Sequence, residues 1–241
     1  MGGASSGKEF GLSISTGMRK VISAVLPQEC LLCGGDAGAT LLCAACGDSL
    51  PLLPQPLCPV CALPTPGGGV CGNCLKSPPA YDATFAVWRY GFPVDKLIQA
   101  LKYEHRLALA GFFASRLLAG PQPGGDLLLP LVLSAARLRE RGFNQAVEIA
   151  RPLAKALGLP LSLHDCARTR DTATQASLPW KARRRNVKNA FECNADFSGK
   201  SVVVIDDVMT TGATLDEFAR SLKRHGAAKV TNWVVARALR D

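Results

Sequence analysis

Aromatic side chains make up only 6% of this 241-residue chain, which holds three histidines, three tryptophans and three tyrosines. His105, His164 and His225 stand far apart with no metal-ligand spacing and no nucleophile partner, so each is expected to be structural or exposed. Long apolar runs are missing too. The longest, 127–136, falls well short of the roughly 18 to 20 residues that a membrane-spanning helix needs. No charged head, apolar run and small-residue cleavage site opens the chain, which points to a soluble cytoplasmic protein. Met1, Gly2 and Ser6 fit a myristoylation pattern, but no basic cluster follows at once, and a frayed, partly helical segment over 1–29 is the simpler expectation. Neither a Gly-x-Ser-x-Gly elbow nor a His-Glu-x-x-His helix occurs, so the common hydrolase signatures are absent. With 48% hydrophobic and 20% charged residues, the chain is neither disordered nor collagen-like.

Cysteine is what the chain has in excess. Ten occur, and eight fall into four Cys-x-x-Cys pairs: Cys30/Cys33, Cys43/Cys46, Cys58/Cys61 and Cys71/Cys74. The other two, Cys166 and Cys193, are expected to be single buried residues acting as small apolar side chains. A secreted disulfide scaffold would scatter its cysteines through a small chain, so their clustering speaks for a reducing compartment. Shifting the sequence by 28 residues lays the first four paired cysteines on the second four, which defines an internal repeat. Each half is then a complete four-thiolate set, because two Cys-x-x-Cys turns joined by a hairpin close a tetrahedron around zinc. Two structural Zn²⁺ are expected, paired in tandem, as folding staples for about 45 residues with too little apolar surface to fold without metal. Between Cys30 and Cys74 the only charged residues are Asp36 and Asp48, so the ribbon brings no cations of its own to grip phosphates.

A Pro-rich joint, Leu75-Lys76-Ser77-Pro78-Pro79, follows the double zinc ribbon assigned to 30–76, and a second domain is expected over 80–241. Val94, Leu97, Ile98 and Leu101 repeat at helical spacing, as do Ala146, Ile149, Ala150, Leu153 and Leu157, with Pro152 expected to kink the second helix or mark a late start. Residues 202–205 and 230–235 read as buried strands. Strand, helix, strand in that order implies an α/β fold with a parallel sheet and helices on its faces.

The chemistry concentrates in 202–214, Val-Val-Val-Ile-Asp-Asp-Val-Met-Thr-Thr-Gly-Ala-Thr, a buried strand running into a helix. Thr214 and Glu217 are spaced as a capping box, with Leu215, Phe218, Ala219 and Leu222 as the apolar face of that helix. Thr210, Thr211, Gly212, Ala213 and Thr214 form a small, hydroxyl-rich loop at the helix N-terminus, where unpaired amides suit an anionic phosphate. Asp206 and Asp207, at the carboxyl end of a parallel strand, are expected to face the same crevice and to hold a vicinal pair of hydroxyls or an ion. A ribose 5-phosphate satisfies both halves. No Gly-Lys-Ser/Thr ends the loop, so it is not a Walker A loop.

This segment resembles the phosphoribosyl pyrophosphate signature of the type I phosphoribosyltransferases. The likeness extends to Leu101-Lys102-Tyr103, to 137–145, to 168–175, and to Arg183, Asn186, Ala190 and Phe191; with the cysteine-rich front it covers about Cys30 to Arg237. On these residues the chain is similar to the ComF family, competence-associated proteins with a zinc module ahead of a phosphoribosyltransferase domain. The resemblance implies a type I phosphoribosyltransferase fold, a parallel sheet with flanking helices and a hood over the site. It further implies that Asp206 and Asp207 bind the ribose hydroxyls, that Thr210 to Thr214 hold the 5-phosphate, that Mg²⁺ accompanies phosphoribosyl pyrophosphate, and that the loop ahead of Arg137 meets pyrophosphate. That loop reads Pro130-Leu131-Val132-Leu133, with Val132 where the family usually has a second proline.

Between Ser134 and Phe191 twelve Lys or Arg stand against four Asp or Glu, so +8 of the formal +9 sits in under a quarter of the chain. Such a stretch attracts pyrophosphate, a nucleic-acid backbone or both, with a plain solvated basic face as the alternative. Arg183, Arg184, Arg185 and Lys188, close to Trp180, are the candidate single-stranded DNA contacts, because a cationic groove with an aromatic platform suits unpaired bases. Two functions follow. In one, the chain is a phosphoribosyltransferase acting in DNA uptake, with Arg137, Arg141 and Arg183 stabilising the departing pyrophosphate. In the other, it is a non-catalytic module that senses phosphoribosyl pyrophosphate while it engages single-stranded DNA or proteins of the uptake machinery.

Overall fold

The computed structural model describes residues 28–170 and 187–239. Contacts divide the chain into two compact units, Met1–Ser49 and Leu50–Asp241. In the first, Glu29 bridges Asp36, the Gly34 amide donates to the Cys30 carbonyl at 2.9 Å, and the short helix α1 (Ala44–Asp48) follows. The second unit opens on the same design. Leu57 bridges Pro64, the Ala62 amide donates to the Cys58 carbonyl at 2.9 Å, and α2 (Gly72–Lys76) follows. The 28-residue repeat of the sequence is thus a repeat of hydrogen bonds, and it includes backbone shape: Gly34 has φ +73° and its counterpart Ala62 has φ +54°.

Beyond the second knuckle come β1 (Ala83–Arg89), α3 (Val94–Tyr103), α4 (Ala108–Ala119), β2 (Leu127–Pro130), α5 (Ala135–Arg141) and α6 (Gln145–Leu157). They are followed by β3 (Cys166–Arg168), β4 (Phe191–Cys193), β5 (Ser201–Met209), α7 (Ala213–Arg224) and β6 (Lys229–Arg237). Four strands pair in parallel in the order β1-β6-β5-β2, as the strand, helix, strand pattern implies. Both faces are covered, which is why β5 and β6 are buried almost end to end. Val202 and Val204 belong to a cluster with Phe191, Phe197, Phe218 and Leu222. By strand alternation Val203 and Ile205 point to the opposite layer, where α6 packs on β5 and β2.

The outer edge of β1 is not left open. The Leu53 amide donates to the Val87 carbonyl at 3.2 Å, and the Arg89 amide donates to the Pro51 carbonyl at 2.9 Å. The chain entering the second knuckle therefore runs along this edge and occupies hydrogen-bonding groups that would otherwise invite another strand.

Three local expectations are corrected. Helix α6 starts at Gln145 and passes through Pro152, so the proline marks no late start; the buried Ile149, Ala150 and Leu153 hold the helix against the sheet across that position. Cys166 and Cys193 are not single residues: β3 and β4 pair antiparallel with these two opposite each other, and they form a disulfide. The Thr214–Glu217 capping box does not form, because α7 begins at Ala213, with Gly212 as its N-cap at φ +79°. Glu217 instead accepts the Asn189 amide at 2.9 Å. No helix among the described residues is long and apolar enough to cross a membrane.

Candidate functional site

A cavity of about 450 Å³ opens at the carboxyl ends of β2 and β5. In open parallel sheets this edge is where loops leave the strands and ligands are taken. Asp206, Asp207 and Thr210 to Thr214 line it, together with Arg137 and Arg141 of α5. Those sequence candidates therefore share one space. Lys188 is not among them: it lies exposed beside a separate depression with Asp216, Glu217 and Arg220. Arg183, Arg184 and Arg185 lie outside the described residues.

The loop after β2, which carries Val132, is fixed from both sides. The Leu131 amide donates to the Ile205 carbonyl at 2.8 Å, and Asn144 Nδ2 donates to the Leu131 carbonyl at 3.0 Å. Asn144 also caps α6, its Oδ1 accepting the Ala146 amide at 2.9 Å. Ser134 caps α5, its hydroxyl accepting the Arg137 amide at 3.4 Å, so the two arginines start from an anchored turn.

The phosphate-type loop is shaped by Gly212. A Cβ there would lie 2.7 Å from Met209 Cε and 2.9 Å from the Tyr81 hydroxyl, and φ +79° is a conformation that side chains with a Cβ rarely adopt. Thr211 Oγ1 accepts the Ala213 amide at 3.3 Å, while the first-turn amides of α7 have no acceptor inside the helix. Together with the helix dipole they make a cradle for a negatively charged group.

Asp206 and Asp207 are adjacent on a strand, so their side chains leave on opposite faces, although both reach the cavity. This divides their electrostatics. Asp207 forms an ion pair with Lys102 of α3 and accepts Gln145 Nε2 at 2.9 Å, and Gln145 Oε1 in turn accepts Arg141 Nη1. Burial alone would push Asp207 up, but the Lys102 charge and the hydrogen bonds from Lys102 and Gln145 hold it below the usual carboxylate range. On Asp206 burial, then the Asp207 charge, outweigh the pull of the Lys102 charge and drive it well above that range. Burial works against the Lys102 cation, yet the Asp207 carboxylate keeps it above its ordinary value. The pair thus offers two adjacent acidic side chains held in different electrostatic surroundings, polar groups able to take the hydroxyls of a diol.

Lys102, Gln145, Tyr90, Tyr103 and Arg168 line it too; Arg168 belongs to the basic stretch expected to attract pyrophosphate or nucleic acid, and the sequence alone assigns a role to none of the other four. Lys102 and Gln145 are visible there only as members of the family-like segments. Arg141 stacks over the Tyr103 ring with its guanidinium carbon 5.3 Å from the centroid. Arg168 sits over the Phe191 ring at 5.5 Å.

The cysteines make two separate metal-type clusters, Cys30, Cys33, Cys43 and Cys46 in one and Cys58, Cys61, Cys71 and Cys74 in the other, with the sulfurs of each within 4.8 Å of one another. A tetrahedral zinc with bonds of about 2.3 Å needs sulfurs about 3.8 Å apart. Cys33 and Cys43 Sγ are 3.8 Å apart, and Cys61 and Cys71 Sγ are 3.6 Å apart, so both sets fit the ion in tandem pairing. The Cys71 amide also donates to Cys58 Sγ at 3.3 Å, the kind of bond that steadies a thiolate ligand. Among the described residues no other group of His, Cys, Asp or Glu gathers as a metal site.

Comparison with known proteins agrees with both halves. Residues 21–75 match the double zinc ribbon domain and residues 144–240 match the phosphoribosyl transferase domain. The DNA utilization protein YhgH of Escherichia coli O157:H7 is 35% identical over 225 residues, covering 89% of this chain and 99% of that protein. Competence protein F of Haemophilus influenzae is 32% identical over 70% of this chain and 78% of its own length. Competence protein ComFC of Bacillus subtilis is 28% identical over 82% of this chain and 84% of its own. With the tandem thiolate sets, the parallel sheet and near-complete coverage of a relative above 30% identity in agreement, the chain belongs to the ComF family, in which a double zinc ribbon precedes a phosphoribosyltransferase domain.

Proposed function

We propose that this protein binds phosphoribosyl pyrophosphate and transfers its phosphoribosyl group in the handling of DNA taken up by the cell. One observation carries the reading: a helix-terminal amide cradle, two adjacent buried aspartates and two arginines line a single cavity of about 450 Å³. The cradle at Thr210 to Thr214 takes the 5-phosphate, Asp206 and Asp207 take the ribose hydroxyls, and Arg137 and Arg141 meet the diphosphate. In the reaction the bond from the ribose anomeric carbon to the diphosphate oxygen breaks, and its electron pair leaves with pyrophosphate. Positive charge gathers on the ring while the acceptor attacks that carbon and gives up its proton. Fixed guanidinium groups favour this step because they need no reorganisation as negative charge builds on the leaving group. Mg²⁺ arriving with the diphosphate would add to that neutralisation, and Asp206 and Asp207 are the carboxylates of the cavity that could hold it. Arg183 joins the pyrophosphate contacts in this reading. The DNA role is supported by the names of the relatives, DNA utilization protein and competence protein, and by the basic stretch that includes Arg183, Arg184, Arg185 and Lys188.

The test is to incubate zinc-loaded protein with phosphoribosyl pyrophosphate, Mg²⁺ and candidate acceptors, including single-stranded DNA ends, and to follow pyrophosphate. Acceptor-dependent stoichiometric release is expected. Tight binding without release would instead support the sensing module, and absence of binding by calorimetry would defeat both.

A further inference from the structure

We propose that the second thiolate set is part of the phosphate loop's foundation, and that Arg237 couples them, so that zinc at Cys58, Cys61, Cys71 and Cys74 and a phosphate at the loop bind interdependently. This rests on the reading of Thr210 to Thr214 as a phosphate cradle. Arg237 is the last residue of β6 and only 3% exposed. Its Nε donates to the carbonyl of the ligand residue Cys61 at 2.8 Å. Its Nη1 donates to the carbonyls of Met209, at 2.9 Å, and of Thr210, where strand β5 becomes the loop. A buried guanidinium must keep its donors satisfied, and its planar fork is rigid. Displacing the Cys61 peptide therefore pulls on the Thr210 peptide, and the reverse.

Two further contacts join the same parts. Tyr81 is 5% exposed and presses its hydroxyl toward Gly212, where a Cβ would come within 2.9 Å. The Ala80 amide donates to Asp216 Oδ1 at 2.7 Å, tying the chain that leaves the knuckle to the first turns of α7. Between these contacts lies a second cavity, of about 400 Å³, bordered by Cys61, Cys74 and Lys76 on one side and by Thr211 to Ala213 on the other. The underside of the loop is thus not packed solid. Its position relative to the knuckle is set by a few directional bonds, an arrangement with room to respond at either end.

Coupling of this kind is reciprocal: whatever factor zinc contributes to phosphate affinity, phosphate returns to zinc affinity, typically about 5- to 150-fold. The experiment is zinc competition against a metallochromic chelator, with and without saturating ribose 5-phosphate, whose binding is checked by calorimetry. It is run on the wild type and on a Cys30→Ser, Cys33→Ser variant that reports the second set alone. We expect ribose 5-phosphate to strengthen retention of one zinc by about 5-fold or more, and the variant to keep that response. Arg237→Lys, which retains the charge but not the fork, is expected to hold two zinc ions, bind ribose 5-phosphate more weakly and lose the response. If ribose 5-phosphate binds while neither zinc responds, or both respond alike, the coupling is overturned; a response that survives in Arg237→Lys overturns the role of Arg237. Should Arg237→Lys fail to fold, the wild-type and double-serine measurements decide the coupling by themselves. No binding of ribose 5-phosphate to the wild type defeats the phosphate reading, and this inference with it.

Discussion

Replacing Gly212 by alanine tests the cradle at its narrowest point. At φ +79° an alanine is held in the left-handed region, which costs about 1–2 kcal/mol. The added Cβ also meets Met209 Cε at 2.7 Å and the Tyr81 hydroxyl at 2.9 Å. The methionine end can swing aside, but the buried Tyr81 cannot without disturbing the knuckle side, and overpacking of this kind costs about 1–3 kcal/mol. Together the strain amounts to about 2–5 kcal/mol. The loop relieves it by leaving its cradle shape, so affinity for ribose 5-phosphate should fall by about 30-fold to several thousand-fold at 1.4 kcal/mol per tenfold. Gly158→Ala is the reference. Gly158 has φ +65°, a Cβ added there would meet nothing within 4 Å, and the residue ends α6 as its C-cap, so this change carries the backbone penalty alone. The melting temperature of Gly158→Ala should drop by about 2–8 °C while affinity stays at the wild-type value. Calorimetric titration and thermal melting of both variants make the comparison. Affinity of Gly212→Ala within twofold of wild type, or an equal loss in Gly158→Ala, would refute the reasoning.

The joint change Asp206→Asn and Asp207→Asn should abolish phosphoribosyl pyrophosphate binding with zinc still near two per chain; calorimetry and metal analysis report these separately, and unchanged affinity defeats the ribose assignment. Lys102→Met strands Asp207 as a buried carboxylate without its counter-charge and should destabilise the fold by about 3–5 kcal/mol near neutral pH. The stabilisation from a depressed carboxylate is present above its unfolded range and is lost as pH falls through its folded value, so the gap between Lys102→Met and wild type should narrow on acidification. A gap that stays constant into strong acid, followed by melting, would remove Lys102 from that pairing. Changing Arg183, Arg184 and Arg185 together to Ala should weaken single-stranded DNA binding and flatten its salt dependence by about two units of slope, at roughly 0.7 per lost phosphate contact. An unaltered slope would return them to the solvated surface.

What could be read in advance was what is written locally. The thiolate sets, the buried runs of β5 and β6 and the Thr210 to Thr214 loop each occupy a short stretch with its own period or spacing. The partners that tune them do not. Gln145 reaches Asp207 across 62 residues and Arg237 reaches Cys61 across 176, so no window contains either pair. Adjacent aspartates look equivalent as letters, but the pleat sends them to opposite layers, and the packing of α3 and α6 gives Asp207 its ion pair with Lys102 and its bond from Gln145. The helix start was misplaced for a local reason: Thr214 and Glu217 have capping-box spacing, but glycine's freedom at φ +79° lets the chain turn into the helix at Ala213. Cys166 and Cys193 looked solitary because the pairing of β3 with β4, across 27 residues, leaves no periodic trace.

β6 comes last of the four sheet strands in sequence yet sits inside the sheet, between β1 and β5. Thr84 and Asn232, joined side chain to side chain, are 148 residues apart. A ribosome therefore delivers β1 long before the neighbour that seals its inner edge, whereas each cysteine knuckle is complete within a short span and can load its ion during elongation. A nascent polypeptide that takes up its ions as the knuckles are completed would hold metal before it has a finished sheet. A message cut short ahead of the Lys229 codon would yield a product with naked strand edges, a natural substrate for chaperones and proteases.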